Sequence, residues 1–289
     1  MTGAAPLLLI AHGSRDPGHA ATVHALAARI RSLRPGLRVT VGFLEFNGPR
    51  VREALAGLYG DGEREVTAVP LLLTRAYHAK TDIPAALAAC AGALPGMTVR
   101  RAEVLGRDPL LLAALERRLA RAEVLDHGAR VPDVTGAGIP GARRPGPVSA
   151  TATARCPSPG HRARSRTGVV LAAAGSSDPA AIEAVGSLAC QWARAGGWGA
   201  VRPAFAAGAP PGTADAVRAL RADGIERVLV APLVIAPGRL PARIAAGARE
   251  AGADALAPVL GAAPELAALL LRRYDEANAI AYRAAGTYL

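Results

Sequence analysis

Short runs of consecutive apolar residues alternate along the chain with longer stretches in which apolar residues recur at helical spacing. Leu7–Ala11, Val39–Leu44, Val66–Leu73 and Val99–Val104 read as strands, and the stretches near 18–33, 49–59, 80–92 and 109–122 read as helices. Strands without polar alternation are buried on both faces, so this β-α-β-α order predicts a parallel sheet covered by helices on both sides. The pattern stops at Asp126. From there to about Arg166 the chain is rich in Pro, Gly, Arg, Ser and Thr and has no period, which predicts a linker or a mobile surface loop. The pattern then resumes, with strands at Gly168–Ala173, Ala200–Ala206, Arg227–Ile235 and Leu256–Leu260 and helices near 179–195, 213–223, 240–251 and 264–277.

The second series copies the first. Gly13-Ser14-x-Asp16-Pro17 reappears as Gly175-Ser176-x-Asp178-Pro179, an offset of 162, and Gly62, Val66 and Pro70-Leu71 return as Gly224, Val228 and Pro232-Leu233 at the same offset. Leu105-Gly106-x-x-Pro109 returns as Leu260-Gly261-x-x-Pro264. Landmarks repeated in one order mark an internal duplication. The expected organisation is therefore α/β, with two similar parallel-sheet lobes of flavodoxin-like type at 1–125 and 167–289, joined by a basic linker at 126–166. Two such lobes pack about a pseudo-two-fold axis, and a cleft between them at the carboxyl ends of the strands is the expected site.

Composition narrows the function classes. The net charge of +11 resembles a nucleic-acid signal, but 126–166 alone carries seven basic and two acidic residues, a net of +5. The first lobe also nets +5, with 16 basic and 11 acidic residues, and the second nets only +1. Aromatic residues are 3% of the chain, too few for base-stacking platforms, so no nucleic-acid partner is expected. A mildly basic first lobe suits a polyanionic small substrate instead. Three cysteines, far apart and in no CxxC pattern, argue against a disulfide framework or a zinc knuckle. No stretch approaches the roughly 18 apolar residues of a membrane span, and no leader is visible, so a cytoplasmic protein without a membrane partner is expected.

Three residues stand where open α/β sheets place their chemistry. His12 follows the strand Leu7–Ala11 directly, in a turn whose Gly, Ser, Asp and Pro are explained by helix capping but whose histidine is not. His78 stands beyond the strand ending at Leu73, in Tyr77-His78-Ala79-Lys80-Thr81-Asp82-Ile83-Pro84. Glu45 ends the strand Val39–Leu44. Two imidazoles on neighbouring strands make good ligands for Fe²⁺, Co²⁺ or Ni²⁺, and a carboxylate beside them adds a ligand or a proton acceptor. The duplication supplies an internal comparison: His12 becomes Ala174, His78 becomes Leu240, and Phe205–Ala207 replaces the surroundings of Glu45. The framework residues persist while the three candidates vanish, which points to one working site, in the first lobe. His19 and His24 read as residues on exposed or half-buried helix faces.

The motifs His12-Gly13-Ser14-Arg15-Asp16-Pro17, Leu44-Glu45, and Pro70-Leu71-Leu72-Leu73 followed by His78 and Asp82-Ile83-Pro84 resemble the class II chelatases of the sirohydrochlorin chelatase group. The resemblance covers residues 5–122, and the second lobe looks like the degenerate half of the long, two-lobed members. It implies insertion of a divalent metal, Fe²⁺ or Co²⁺ with Ni²⁺ also compatible, into sirohydrochlorin on the way to sirohaem or cobalamin. By the same resemblance His12 and His78 bind the incoming metal and Glu45 assists. Ser14, Arg15, Arg75 and Lys80 are the candidates for holding the tetrapyrrole. The metal is then a substrate, no organic cofactor is expected, and the expected assembly is a monomer or weak oligomer. A non-catalytic metal or tetrapyrrole carrier of the same fold is the alternative. A phosphohistidine phosphatase is disfavoured because Ala11, rather than Arg, precedes His12, and no GxGxxG follows either first strand.

Overall fold

A computed structural model describes residues 4–74, 81–129 and 164–286. The first lobe holds strands β1 (Leu7–Ala11), β2 (Val39–Phe43), β3 (Glu65–Pro70) and β4 (Thr98–Arg101) and helices α1 (Pro17–Leu33), α2 (Val51–Gly60), α3 (Ile83–Ala91) and α4 (Pro109–Ala129). The second holds β5 (Thr167–Ala173), β6 (Ala200–Phe205), β7 (Arg227–Leu233) and β8 (Ala255–Leu256) with α5 (Pro179–Gly196), α6 (Thr213–Ala222), α7 (Arg239–Glu250) and α8 (Pro264–Gly286). Both sheets are parallel, with orders β2-β1-β3-β4 and β6-β5-β7-β8. The expected α/β architecture of two duplicated parallel-sheet lobes is what is found. Among the described residues no helix is long and apolar enough to cross a membrane.

Burial follows the strand period. Leu7, Leu9 and Ala11 of β1 and Val169, Leu171 and Ala173 of β5 belong to a single core that spans both lobes. The alternate residues Leu8 and Ile10 face a second cluster with α2 and α3, and Val170 and Ala172 face a third with α6 and α7. Each central strand is thus apolar on both faces because one face serves its own lobe and the other serves the joint.

The last helix of each lobe covers the sheet of the other. Helix α4 packs on β7 and β8, and α8 packs on α1, β3 and β4. The repeated Leu-Gly landmark is part of this exchange. Arg118 of α4 donates to the Leu260 carbonyl (Nε, 2.9 Å), and Arg273 of α8 donates to the Leu105 carbonyl (Nη2, 2.7 Å). Buried Thr67 of β3 donates to Asn278 Oδ1 of α8 (3.0 Å). On the opposite side, Glu116 of α4 accepts through Oε1 from the indoles of Trp192 (2.6 Å) and Trp198 (2.9 Å), and through Oε2 from Arg164 (2.9 Å). Both indoles are buried, so removing their acceptor strands two N–H groups. Glu116→Ala is expected to cost about 2–4 kcal/mol, read from urea unfolding, and Glu116→Gln, which keeps an acceptor oxygen, is expected to cost less.

Several strands end earlier than the apolar pattern suggests, among them β4 at Arg101 rather than Val104 and β7 at Leu233 rather than Ile235. Strand β8 stops at Leu256, as its counterpart β4 stops at Arg101. Strand β3 stops at Pro70, and Leu71–Leu73 continue as a wall of the cleft described next. Helices α4 and α8 run past their expected ends at 122 and 277. Most of the expected linker at 126–166 lies outside the described residues.

Candidate functional site

Strand β1 ends at Ala11, and the chain must turn at once into α1. Gly13 makes that turn at φ 97°, where a Cβ would lie 1.9 Å from the Glu45 carbonyl oxygen. Ser14 Oγ accepts from the Asp16 amide (3.1 Å), Asp16 caps the helix by accepting from the Gly18 amide (2.9 Å), and Pro17 opens it. The second lobe repeats every part. Gly175 turns at φ 92° with the Ala207 carbonyl 1.7 Å from where its Cβ would be, Ser176 accepts from the Asp178 amide (3.0 Å), and Asp178 caps α5 by accepting from the Ala180 amide (3.0 Å). The repeated glycine, serine, aspartate and proline are therefore architectural. Two residues differ: His12 and Arg15 in the first lobe are Ala174 and Ser177 in the second.

The turn after β2 is clamped to this one. The Glu45 amide donates to the His12 carbonyl (2.8 Å), and Asn47 Oδ1 accepts from the Ser14 amide (2.8 Å). In the copy the Ala207 amide donates to the Ala174 carbonyl (3.1 Å), which sets Ala207 in the place of Glu45. One residue further on, Phe46 has φ 62°, and its counterpart Gly208 has φ 77°. The left-handed region costs a side-chain-bearing residue about 1–2 kcal/mol and glycine nothing.

Between the two sets of turns lies a cleft of about 830 Å³. His12, Ser14, Arg15, His19, Phe46 and Leu71–Thr74 line it from the first lobe, and Ala173–Ser176 and Leu233–Ala242 line it from the second. Its walls are mainly apolar. Arg15 and Arg239 supply positive charge, and Asp16, the carboxylate among the described lining residues, is occupied in capping α1. Helices α1, α5 and α7 all begin at this cleft, and helix N-termini favour anions.

His12, Ser14 and Arg15 thus lie where the sequence places them, at the cleft. Glu45 is exposed and is not among the residues that line it, although its backbone is bonded to that of His12. Arg75, His78 and Lys80 lie outside the described residues. Their counterpart region is described in the second lobe, where Leu240, opposite His78 at the offset of 162, lines the cleft. Among the described residues no three His, Cys, Asp or Glu side chains converge as a metal-holding group.

Three lining residues escaped the sequence reading: His19, Phe46 and Arg239. His19 is a first-turn residue of a helix whose amino end faces the cleft, and that position was the available signal. Its Nδ1 is 3.4 Å from the Pro237 carbonyl of the other lobe, while its buried Nε2 has no hydrogen-bond partner. Burial holds its pKa below the ordinary value, opposed by the Pro237 contact and by the charge of Asp16. The unfolded chain therefore takes up this proton first as pH falls. The stability tied to neutral His19 is complete above about pH 6.5 and is lost as pH falls through the lowered folded value. Thermal unfolding between pH 7.5 and 5 is expected to show an acid-side loss that is smaller in His19→Gln.

Comparison with known proteins follows the duplication. The CbiX family model matches residues 6–122 and again 168–277. A protein of Methanococcoides burtonii named sirohydrochlorin cobaltochelatase is 40% identical over 78 residues, 27% of this chain and 60% of that protein. One of the same name from Methanosarcina acetivorans is 36% identical over 87 residues, 30% of this chain and 67% of that protein. The matched stretch thus spans only about 60% of the first relative's length. SirB from Bacillus subtilis with Fe³⁺ superposes with a TM-score of 0.70 over 94% of this chain and 95% of that one, at 22% identity. The chelatase SirB of the subspecies spizizenii, in complex with cobalt, gives 0.69 over 94% of each chain at 20% identity. These superpositions establish a shared two-lobed fold.

Proposed function

The chain belongs to the CbiX family, and from that premise we propose that it inserts a divalent metal, Fe²⁺ or Co²⁺, into sirohydrochlorin in the cleft between its lobes. The observation that carries this reading is a difference between two turns built on the same Gly-Ser-x-Asp-Pro framework. His12 stands at the cleft where the second lobe keeps only Ala174, so the imidazole answers no demand of the fold. The names of the curated relatives and the metals in the two SirB structures support the same reaction.

The chemistry asks for what the cleft offers. Sirohydrochlorin is a flat macrocycle with many carboxylates. Apolar walls suit its faces, and Arg15, Arg239 and three helix N-termini suit its rim. Metal entry releases two pyrrole N–H protons, so the site needs ligands that hold an ion and then let it go, beside groups that accept protons. We assign the metal to His12 and His78, with Glu45 assisting from the adjoining turn. Neutral imidazoles both ligate divalent ions and take up protons near neutral pH. Two or three protein ligands, open toward the macrocycle, release an ion more readily than a closed four-ligand cage. Ser14, Arg15, Arg75 and Lys80 are assigned to the substrate. The support for His78 is indirect: its counterpart Leu240 lines the cleft.

Turnover tests the proposal. With sirohydrochlorin in tenfold excess over protein under anaerobic conditions, an enzyme metallates many equivalents per chain. Uptake of a single equivalent without acceleration would instead mark a carrier.

A further inference from the structure

Phe46 is the one described residue other than glycine with a positive φ, 62°. The chain itself shows what this backbone prefers, because the clamped turn of the second lobe places Gly208 there at φ 77°. Nothing in the core repays the strain. The residue is 48% exposed, one of three large apolar residues so exposed among the described residues. It stands at the cleft, edge-on to the His12 imidazole at 6.3 Å between centroids and 73° between planes, with the Arg15 guanidinium 5.4 Å from its centroid. A strained, exposed aromatic beside the candidate metal ligand is kept for something other than stability.

We propose that Phe46 is a positioning residue for the tetrapyrrole. Its exposed ring surface packs on the macrocycle and sets the ring's depth relative to His12, while Arg15, held over the same phenyl ring, meets a carboxylate at the rim. This rests on the chelatase reading. It adds a residue from the duplication and the backbone conformation alone, since Phe46 neither ligates metal nor exchanges protons. An aromatic contact of this kind accounts for roughly a tenfold change in affinity.

The test is Phe46→Gly, which returns the turn to the conformation that the second lobe already uses. The expected result is a melting temperature within about 3 °C of wild type, an unchanged Co²⁺ dissociation constant by titration of the metal alone, and a KM for sirohydrochlorin raised roughly tenfold, with kcat reduced less. Phe46→Tyr is expected to restore KM, and Phe46→Leu to restore it in part. A KM within twofold of wild type in Phe46→Gly overturns the proposal and leaves the chelatase reading intact. A large loss of melting temperature in Phe46→Gly also overturns it, since the ring would then be structural. If wild-type protein neither binds nor metallates sirohydrochlorin, the chelatase reading fails and this proposal falls with it.

Discussion

Replacing His12 by alanine is expected to lower the rate of metal insertion by about 10²–10⁴-fold while leaving the melting temperature close to that of wild type. The separation of the two effects is the informative part. The backbone of residue 12 is held by the Glu45 amide, and the second lobe makes the same bond to an alanine, Ala174. The fold therefore already accommodates the substitution once within this chain. The imidazole lines the cleft, half-buried, and contributes to no core cluster. Single-turnover absorbance kinetics beside thermal melts check both halves of the expectation. Equal losses of rate and of stability would mean that His12 serves the turn rather than the chemistry.

Gly13→Ala is expected to do the reverse, destabilising by about 3 kcal/mol, or about 6–12 °C in melting temperature for a chain of this size. The added methyl meets the Glu45 carbonyl at 1.9 Å, at a φ that side chains rarely adopt. Gly175→Ala meets the Ala207 carbonyl at 1.7 Å and is expected to cost as much, although no candidate ligand adjoins it. Gly36 separates collision from conformation. Its φ is 87°, and nothing lies within 4 Å of the added Cβ, so Gly36→Ala should cost only about 1 kcal/mol. Melts of the three variants side by side give the ranking, and a Gly13→Ala cost no larger than that of Gly36→Ala would remove the steric argument.

Much of this architecture is legible in the sequence. Strands β1 and β5 announce themselves because neither shows a polar alternation, and the Gly-Ser-x-Asp-Pro turns because their glycine, serine, aspartate and proline all have a capping or turning role. The site was legible to the extent that His12 and Arg15 are the members of the turn without such a role. The exchange of α4 and α8 between lobes was not legible, since an amphipathic helix reveals which face it buries but not which sheet it covers. The strain at Phe46 is a backbone angle that no composition reveals, yet extending the offset of 162 by one residue from Glu45 would have paired Phe46 with Gly208. The contact of His19 is not legible in the sequence because its partner, the Pro237 carbonyl, lies 218 residues away.

The central claim is that one metal site, built from His12 and His78, carries the reaction. The most direct test is anaerobic Co²⁺ insertion into sirohydrochlorin, followed by absorbance for wild type, His12→Ala, His78→Ala and the double variant. Two ligands acting on one ion work as a unit, so their losses do not add. Wild type is expected to run well above the protein-free rate, with both single variants and the double variant clustered near that rate. Wild type at the protein-free rate, or His78→Ala at the wild-type rate, would contradict the account.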